Sequence, residues 1–516
     1  MTHRDGAAIV RLHILSKLRS PYMIIALRMA SFFRPEKKCC RMSRISAKWE
    51  ESRHALMTKL FVRLLFAGWS TVEKLTKRVI FFSHKSELEL CKKVHRLVQL
   101  YHRVIIRDFI YTIPLVLLSL HVRLQYFYYL QWSGKGYPQS PDSDWYIRYA
   151  QNLIANFKIG SDMNDIMYIG YNLLLTVLLA LVKDPVTVLL IQAVTASLCV
   201  VLVFKIARML FNLRTAIMAG IFYAYSWDIT LWTTYILTDS FFISLLLLSV
   251  YLLLKCYRSD KRIYKIAFAA TALYMLVFRP AGIMTVFFML IYIVINLDRG
   301  TVLAFFKKHR MAIGGGLVAI AAVCVWVYAG GKLDSLIDSM QFNAKKVLYN
   351  VYANGWVYDH PSPQDHKFRP DYTINILNSL ILSFIINNWD HILILYGKRS
   401  IAFLGRWVWT TDLTSLAGIK RFAWQFLPTV LFMTATVIAI ANKQFRKASI
   451  VWLLVLSVFL FCILFFIDGM FRYKAPGIPF IAIAAAYGAD RVIYGAIWIA
   501  KKLTGKLLWN KGKYSL

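Results

Sequence analysis

Acidic side chains are scarce in this chain: 26 Asp and Glu stand against 62 Lys and Arg, a formal net charge of +36. Cysteine is sparse as well. The 7 cysteines are Cys39, Cys40, Cys91, Cys199, Cys256, Cys324 and Cys462. None falls in a segment that reads as lying outside the membrane, so no structural disulfide is expected. There is no C-x-x-C pair and no H-E-x-x-H, which removes the patterns that announce a zinc site. No internal repeat is visible, which argues against a transporter built from inverted halves. No cleavable signal peptide is expected either. The first apolar stretch, "PYMIIALRMASFF", is short, carries an arginine and fits an interfacial helix.

What is present is apolar surface. Hydrophobic residues make up 58% of the chain and the mean hydropathy is +0.52, above the composition of ordinary soluble domains. Apolar runs of about 17–22 residues recur from residue 109 onward, the length of a spanning helix. Lipid offers the backbone no hydrogen-bond partner, so such runs must be helical. The sequence therefore reads as an all-α polytopic membrane protein. Spans are expected near 109–130, 185–204, 214–231, 236–255, 263–279, 281–297, 311–329, 423–441, 449–467 and 475–498, or about 10–12 in all. The run 168–182 is too short to cross and reads as a half-inserted or interfacial helix on the outer side.

The positive charge could suggest nucleic acid, but its placement excludes that. It lies in the first 107 residues, at the C-terminus, and in the loops "KCYRSDKRIYK" (255–265), "DRGTVLAFFKKHR" (298–310) and "NKQFRKA" (442–448). Short basic loops stay in the cytoplasm and lie against anionic lipid. Both termini are then cytoplasmic, and 131–167 and 330–422 lie outside. Four regions follow: a basic, membrane-skimming extension (1–107), a transmembrane module (108–329) with its first outer loop at 131–167, an outer segment with interfacial helices (330–422), and a last set of spans with a basic tail (423–516).

Against that background the charges on the outer side stand out. "PDSDWYIRYAQNL" places Asp142 and Asp144 at the start of an amphipathic helix, with Trp145, Tyr149, Leu153 and Phe157 forming a lipid-facing stripe. Either acid caps the helix or does chemistry. Arg123 lies about 12 Å inside its span at helical rise, far for snorkelling, so it is expected to face protein or a polar cavity. Asp239 begins a span, where Thr238 or Asp239 would serve as a cap. Arg279 sits between two spans with almost no loop. Asp468, Arg472 and Lys474 crowd the outer mouth of the last spans, where cations are normally avoided. An anionic ligand is the simplest reason for them. Cations that hold a lipid phosphate, beside a carboxylate that takes a proton from an acceptor, suit glycosyl transfer from a polyprenyl-phosphate sugar. Direct displacement of that kind inverts the anomeric centre.

"PDSDWYIRYAQNLI", "IGYNLLL", "IQAVTASLCVVLVFKIARML", "YILTDSFFISLLLL", "FRPAG" and "FRYKAPGIPFIAIAAAYG" occur in the order found in GT-C membrane glycosyltransferases. From about residue 109 to 495 the chain resembles the branch of polyprenyl- and dolichyl-phosphate-mannose protein mannosyltransferases and lipid A aminoarabinose transferases. The resemblance implies a GT-C-like helical bundle with outer-face juxtamembrane helices, and a lipid-linked donor on undecaprenyl or dolichyl phosphate. It implies a catalytic aspartate at Asp142, with Tyr146 four residues on and Asp144 as the alternative. It also implies a phosphate contact at Arg472, and site-proximal positions at Arg123, Asp239 and Arg279. A divalent metal serves some of the superfamily, but no outer-face cluster here calls for one. The acceptor stays open among protein, glycolipid and wall polymer. The membrane reads as a bacterial plasma membrane, with the endoplasmic reticulum as the alternative. The rival readings are a lipid or polysaccharide flippase, which predicts charge through mid-span positions, and a scaffold in which the acids are only caps.

Overall fold

The computed structural model describes residues 108–513, apart from 135, 161, 298, 332–333, 359–360, 406–411 and 465–469. For parts of 299–335 and beyond 502 it describes only the backbone. The basic extension 1–107, with Cys39, Cys40 and Cys91, and Asp468 therefore lie outside the described residues. The chain divides into Met1–Ile110 and Tyr111–Leu516, and the architecture is that of the second unit.

The protein is an all-α polytopic membrane protein, and no strand occurs among the described residues. In chain order the helices are α1 (Phe109–Trp132), α2 (Pro141–Asn156), α3 (Met163–Met167), α4 (Ile169–Val182), α5 (Pro185–Leu198), α6 (Val200–Leu210), α7 (Leu213–Ala224), α8 (Trp227–Trp232), α9 (Thr238–Cys256) and α10 (Arg262–Phe278). There follow α11 (Pro280–Asn296), α12 (Arg299–Ala329), α13 (Asp334–Lys346) running into a π-helical turn (Val347–Tyr352), α14 (Leu380–Asn387) and α15 (Trp389–Gly405). The chain ends in α16 (Leu416–Ala441), α17 (Phe445–Leu464), the short α18 (Met470–Lys474) and α19 (Ile478–Lys513).

Among the described residues, six segments are long and apolar enough to cross a bilayer: α1, α5 with α6, α9, α16, α17 and Met470–Lys502. They coincide with six of the expected spans. The pair α14 and α15 would make a seventh but is bent by 84°, in the segment where interfacial helices were expected. The remaining apolar runs are cut shorter. The run 214–231 breaks after Ala224, leaving a 12-residue helix and the six-residue α8. The helices α10 and α11 have 17 residues each, about 25 Å of helical rise, at the lower limit for a span. The run 311–329 lies within α12. The run 168–182 forms the 14-residue α4.

The core is built by α19 packing on α16 and α7, α9 on α10, α6 on α7, and α11 on α17. Helix α1 buries one stripe, Thr112, Leu115, Ser119, Arg123, Phe127 and Leu130, at the three- and four-residue spacing of one helix face. Cys199, Cys256 and Cys462 carry free thiols. A second, smaller apolar cluster gathers Leu348, Tyr352, Val357, Tyr358, Phe384, Ile392, Leu395 and Ala402 with Phe471. It joins the 347–405 segment to α18.

Candidate functional site

Helix α2 starts at Pro141, a good first residue because its fixed backbone suits the helix and it has no amide to leave unpaired. Ser140 is the cap, its hydroxyl accepting from the Ser143 amide at 3.1 Å. Neither Asp142 nor Asp144 has that job, so the capping reading of these acids is corrected. The expected lipid stripe is corrected too. The buried face of α2 is Ser143, Tyr146, Ala150 and Leu153, while Phe157 is a left-handed C-cap and largely exposed. Leu153 lies on the buried face and Phe157 lies past the last helical residue, so the four do not form one exposed stripe.

Arg279 owes its place to "FRPAG". A residue before proline is pushed into an extended conformation, and Arg279 has φ −165° and ψ 145°. It closes α10 and opens α11 with Pro280 in the first helical position. Gly282 makes the tight reversal feasible, since a Cβ there would meet the Met275 carbonyl oxygen at 1.9 Å. The Arg279 side chain is thereby turned into the protein. Asp239 lies in the first turn of α9, where the helix dipole favours an acid. Its cap position is Leu237, with no side-chain cap bond, so neither Thr238 nor Asp239 caps this helix.

These residues form one chain of charge. Arg279 is ion-paired to Asp239 Oδ1, Asp239 Oδ2 accepts from Arg472 Nε at 2.9 Å, and Arg472 NH1 donates to Asp142 Oδ2 at 2.5 Å. Arg279 and Asp239 are buried, with side-chain exposures of 1% and 0%, and exposure then rises to 12% for Arg472 and 52% for Asp142. Two guanidiniums balance two carboxylates, which is what allows Asp239 and Arg279 to be buried at all. Among the described residues, the Arg472–Asp142 end is the exposed end of the cluster.

Aromatic rings wall the cluster. Tyr473 lies under Arg279 at 4.9 Å and Phe242 at 5.9 Å. Tyr146 packs edge-on against Tyr171 (4.8 Å between centroids) and Tyr168 (5.8 Å), and Tyr171 against Phe278 (5.7 Å). Burial, then the neighbouring Tyr168, pushes the Tyr146 phenol well above its ordinary value of 10.0, so it remains a hydrogen-bond donor. The buried hydroxyls of Tyr171, Thr238 and Ser240 have no hydrogen-bond partner among the described residues. Tyr168, Tyr171 and Tyr473 were missed in the sequence. Their only signal is the adjacency of "YIGYN" and "RY" to the charged positions.

The other expected site residues go elsewhere. Asp144 is exposed and lines an open hollow with Ile147 and Arg148. Arg123 is fully buried, as expected, but its guanidinium sits over the Tyr223 ring at 4.9 Å and donates to the Ser119 carbonyl and hydroxyl and the Tyr223 carbonyl. Lys474 donates to the Phe403 carbonyl and lies over that ring at 5.0 Å. The structure thus joins Asp142, Asp239, Arg279 and Arg472, with Tyr146 beside them. It brings neither Arg123 nor Lys474 into the chain of ion pairs. Among the described residues no three His, Cys, Asp or Glu side chains group as a metal site would require.

The family model for dolichyl-phosphate-mannose-protein mannosyltransferase matches residues 169–327. The chain resembles the GT-C membrane glycosyltransferases. The matched segment holds Tyr171, Asp239 and Arg279, while Asp142 and Arg472 lie on either side of it. Among solved structures, the chain is similar to the oligosaccharyltransferase AglB from Archaeoglobus fulgidus in complex with an inhibitory peptide and a dolichol-phosphate. The identity is 13%, over 77% of this chain and 52% of that one, with a TM-score of 0.42. It is also similar to ArnT from Cupriavidus metallidurans bound to undecaprenyl phosphate, with 14% identity over 78% of this chain and 64% of that one, and a TM-score of 0.38. The chain thus spans 52% and 64% of the lengths of these two structures. No curated protein matches.

Proposed function

We propose that this protein is a membrane glycosyltransferase that moves a sugar from a polyprenyl-phosphate donor to an acceptor on the extracytoplasmic face. One observation carries the reading: Arg472 is partly exposed, is backed by buried Asp239, and is joined to exposed Asp142. A cation and a carboxylate are thereby held side by side at the only open end of the cluster.

The chemistry follows from their roles. Arg472 takes the donor phosphate through the fork of its guanidinium, a geometry suited to phosphate oxygens. Asp142 accepts the proton of the acceptor hydroxyl or amine as that atom attacks the anomeric carbon. The bond from that carbon to the phosphate oxygen breaks, and polyprenyl phosphate leaves with its new charge facing Arg472. The configuration at the anomeric carbon inverts. Asp239 and Arg279 touch neither substrate; they keep Arg472 in place. Asp144 is the alternative base, and the 330–422 segment the part that selects the acceptor. Both termini are assigned to the cytoplasm.

The test is release of radiolabelled sugar from polyprenyl-phosphate monosaccharides by purified protein. Wild type, Asp142→Asn, Asp144→Asn and Arg472→Gln are compared, with donor-lipid binding measured in parallel. Loss of turnover with retained binding in Asp142→Asn, and weakened binding in Arg472→Gln, are expected. Wild-type turnover of no donor, or an unimpaired Asp142→Asn, overturns the reading.

A further inference from the structure

The carboxylates that meet Arg472 come from α2 and α9, but its backbone is held from another direction. Phe471, just before it, stacks on Tyr358 at 5.7 Å. Lys474, two residues after it, is bound to Phe403. Residues of α17 near α18 are held by the same segment. Arg399 NH1 donates to the Ile463 carbonyl at 3.3 Å, and the Tyr352 hydroxyl donates to the Leu464 carbonyl at 2.8 Å. Tyr358, Tyr352, Arg399 and Phe403 all belong to the 347–405 segment.

Arg399 is the centre of this arrangement. It is fully buried. Its Nε donates to the Trp356 carbonyl at 3.0 Å, and its guanidinium lies over the Tyr352 ring at 4.9 Å. One side chain on α15 therefore ties the 352–356 turn to the end of α17. Gly355 shapes the turn that presents Trp356, with φ +58° and no room for a Cβ against the His366 carbonyl.

We propose that Arg399 is a positioning residue for Arg472. It anchors the end of α17 to the 347–405 segment, and with Tyr352 it sets where α18 lies and so where the Arg472 guanidinium points. The segment assigned to acceptor choice and the phosphate-holding cation are then mechanically one piece. This inference rests on the proposed role of Arg472 in holding a lipid phosphate.

Two measurements on the full-length protein test it. The first does not depend on function: amide hydrogen exchange across 470–478 in wild type, Arg399→Gln, Arg399→Lys and Tyr352→Phe. Faster exchange there in Arg399→Gln, with α1 unchanged, is expected. Partial recovery is expected in Arg399→Lys, which keeps the charge but loses the fork. Unchanged exchange at 470–478 overturns the proposal, whatever the activity. The second is a double-mutant cycle for binding of undecaprenyl phosphate. Arg399→Gln should weaken binding on the order of tenfold when Arg472 is present and hardly at all in the Arg472→Gln background, a coupling typical of residues that act together. Equal losses in both backgrounds mean that Arg399 only supports the fold, and overturn the proposal. If wild type binds no lipid phosphate, the glycosyltransferase reading falls, and the exchange result still judges Arg399.

Discussion

Arg472 donates to Asp142 at 2.5 Å across 330 residues of chain, and its other face is held by Asp239. The contact joins α2 to α18, the short helix that leads into the last span. It makes Asp142, rather than Asp144, the acid at the open end of the cluster.

Asp142→Asn should therefore lower sugar transfer on the order of 10²–10⁴-fold, the usual worth of a positioned base. Donor binding should be nearly unchanged. Asp144→Asn should stay close to wild type, because Asp144 is exposed and shares no ion pair with the cluster. Transfer rates at saturating donor, with lipid binding measured separately, check both.

Removing the buried acid should cost stability as well as activity. Asp239→Asn leaves Arg279 buried without its counter-charge, and breaking such a pair from one side costs about 3–5 kcal/mol. The double variant Asp239→Asn with Arg279→Met should recover a substantial part of that loss while remaining inactive. Thermal or denaturant unfolding in detergent reads the difference.

Gly355→Ala should destabilise by about 1–3 kcal/mol, because its left-handed backbone disfavours a side chain and the His366 carbonyl occupies the space. Gly314→Ala is the control. It lies in α12 with open space around it, and alanine is the better helix former by about 1 kcal/mol. Unfolding midpoints of the two variants should move in opposite directions.

Acid should loosen the 347–405 segment through His366. Burial, followed by Lys398 and His391, lowers the His366 pKa from its ordinary 6.5. Its Nε2 is hydrogen-bonded to His391 Nδ1 at 3.1 Å, and Asp390 beside His391 opposes the shift. A histidine that resists protonation when folded adds no penalty above the unfolded value. As pH falls through about 6.5 the unfolded chain binds a proton that the folded one does not, and stability drops. His366→Phe should flatten the stability profile between pH 7 and the lowered folded value. An unchanged slope would assign the dependence to another group.

Much of the frame was legible from apolar run length. Six of the expected apolar runs became qualifying spans, because lipid leaves no alternative to a helix. The count beyond six was not legible, since the helix of the 214–231 run already ends at Ala224, short of a full crossing. Arg123 shows the limit for single residues. Its depth in a span foretold burial, but the same signal suits a ligand cation and a brace, and the partners found are Ser119 and Tyr223. Tyr168 and Tyr171 were invisible because an aromatic residue in an apolar helix is ordinary.

The amino-acid order by itself determined the local features. The proline after Arg279 forced an extended turn between two helices, Ser140 before Pro141 started α2, and the apolar runs committed the chain to the membrane. These depend on neighbours a few residues apart. Tertiary structure alone decided that Asp239 holds both Arg279 and Arg472, that Arg472 reaches Asp142, and that Lys474 turns to Phe403. A charged side chain at an apolar boundary is only driven to find a partner. Which partner it finds depends on how distant helices pack.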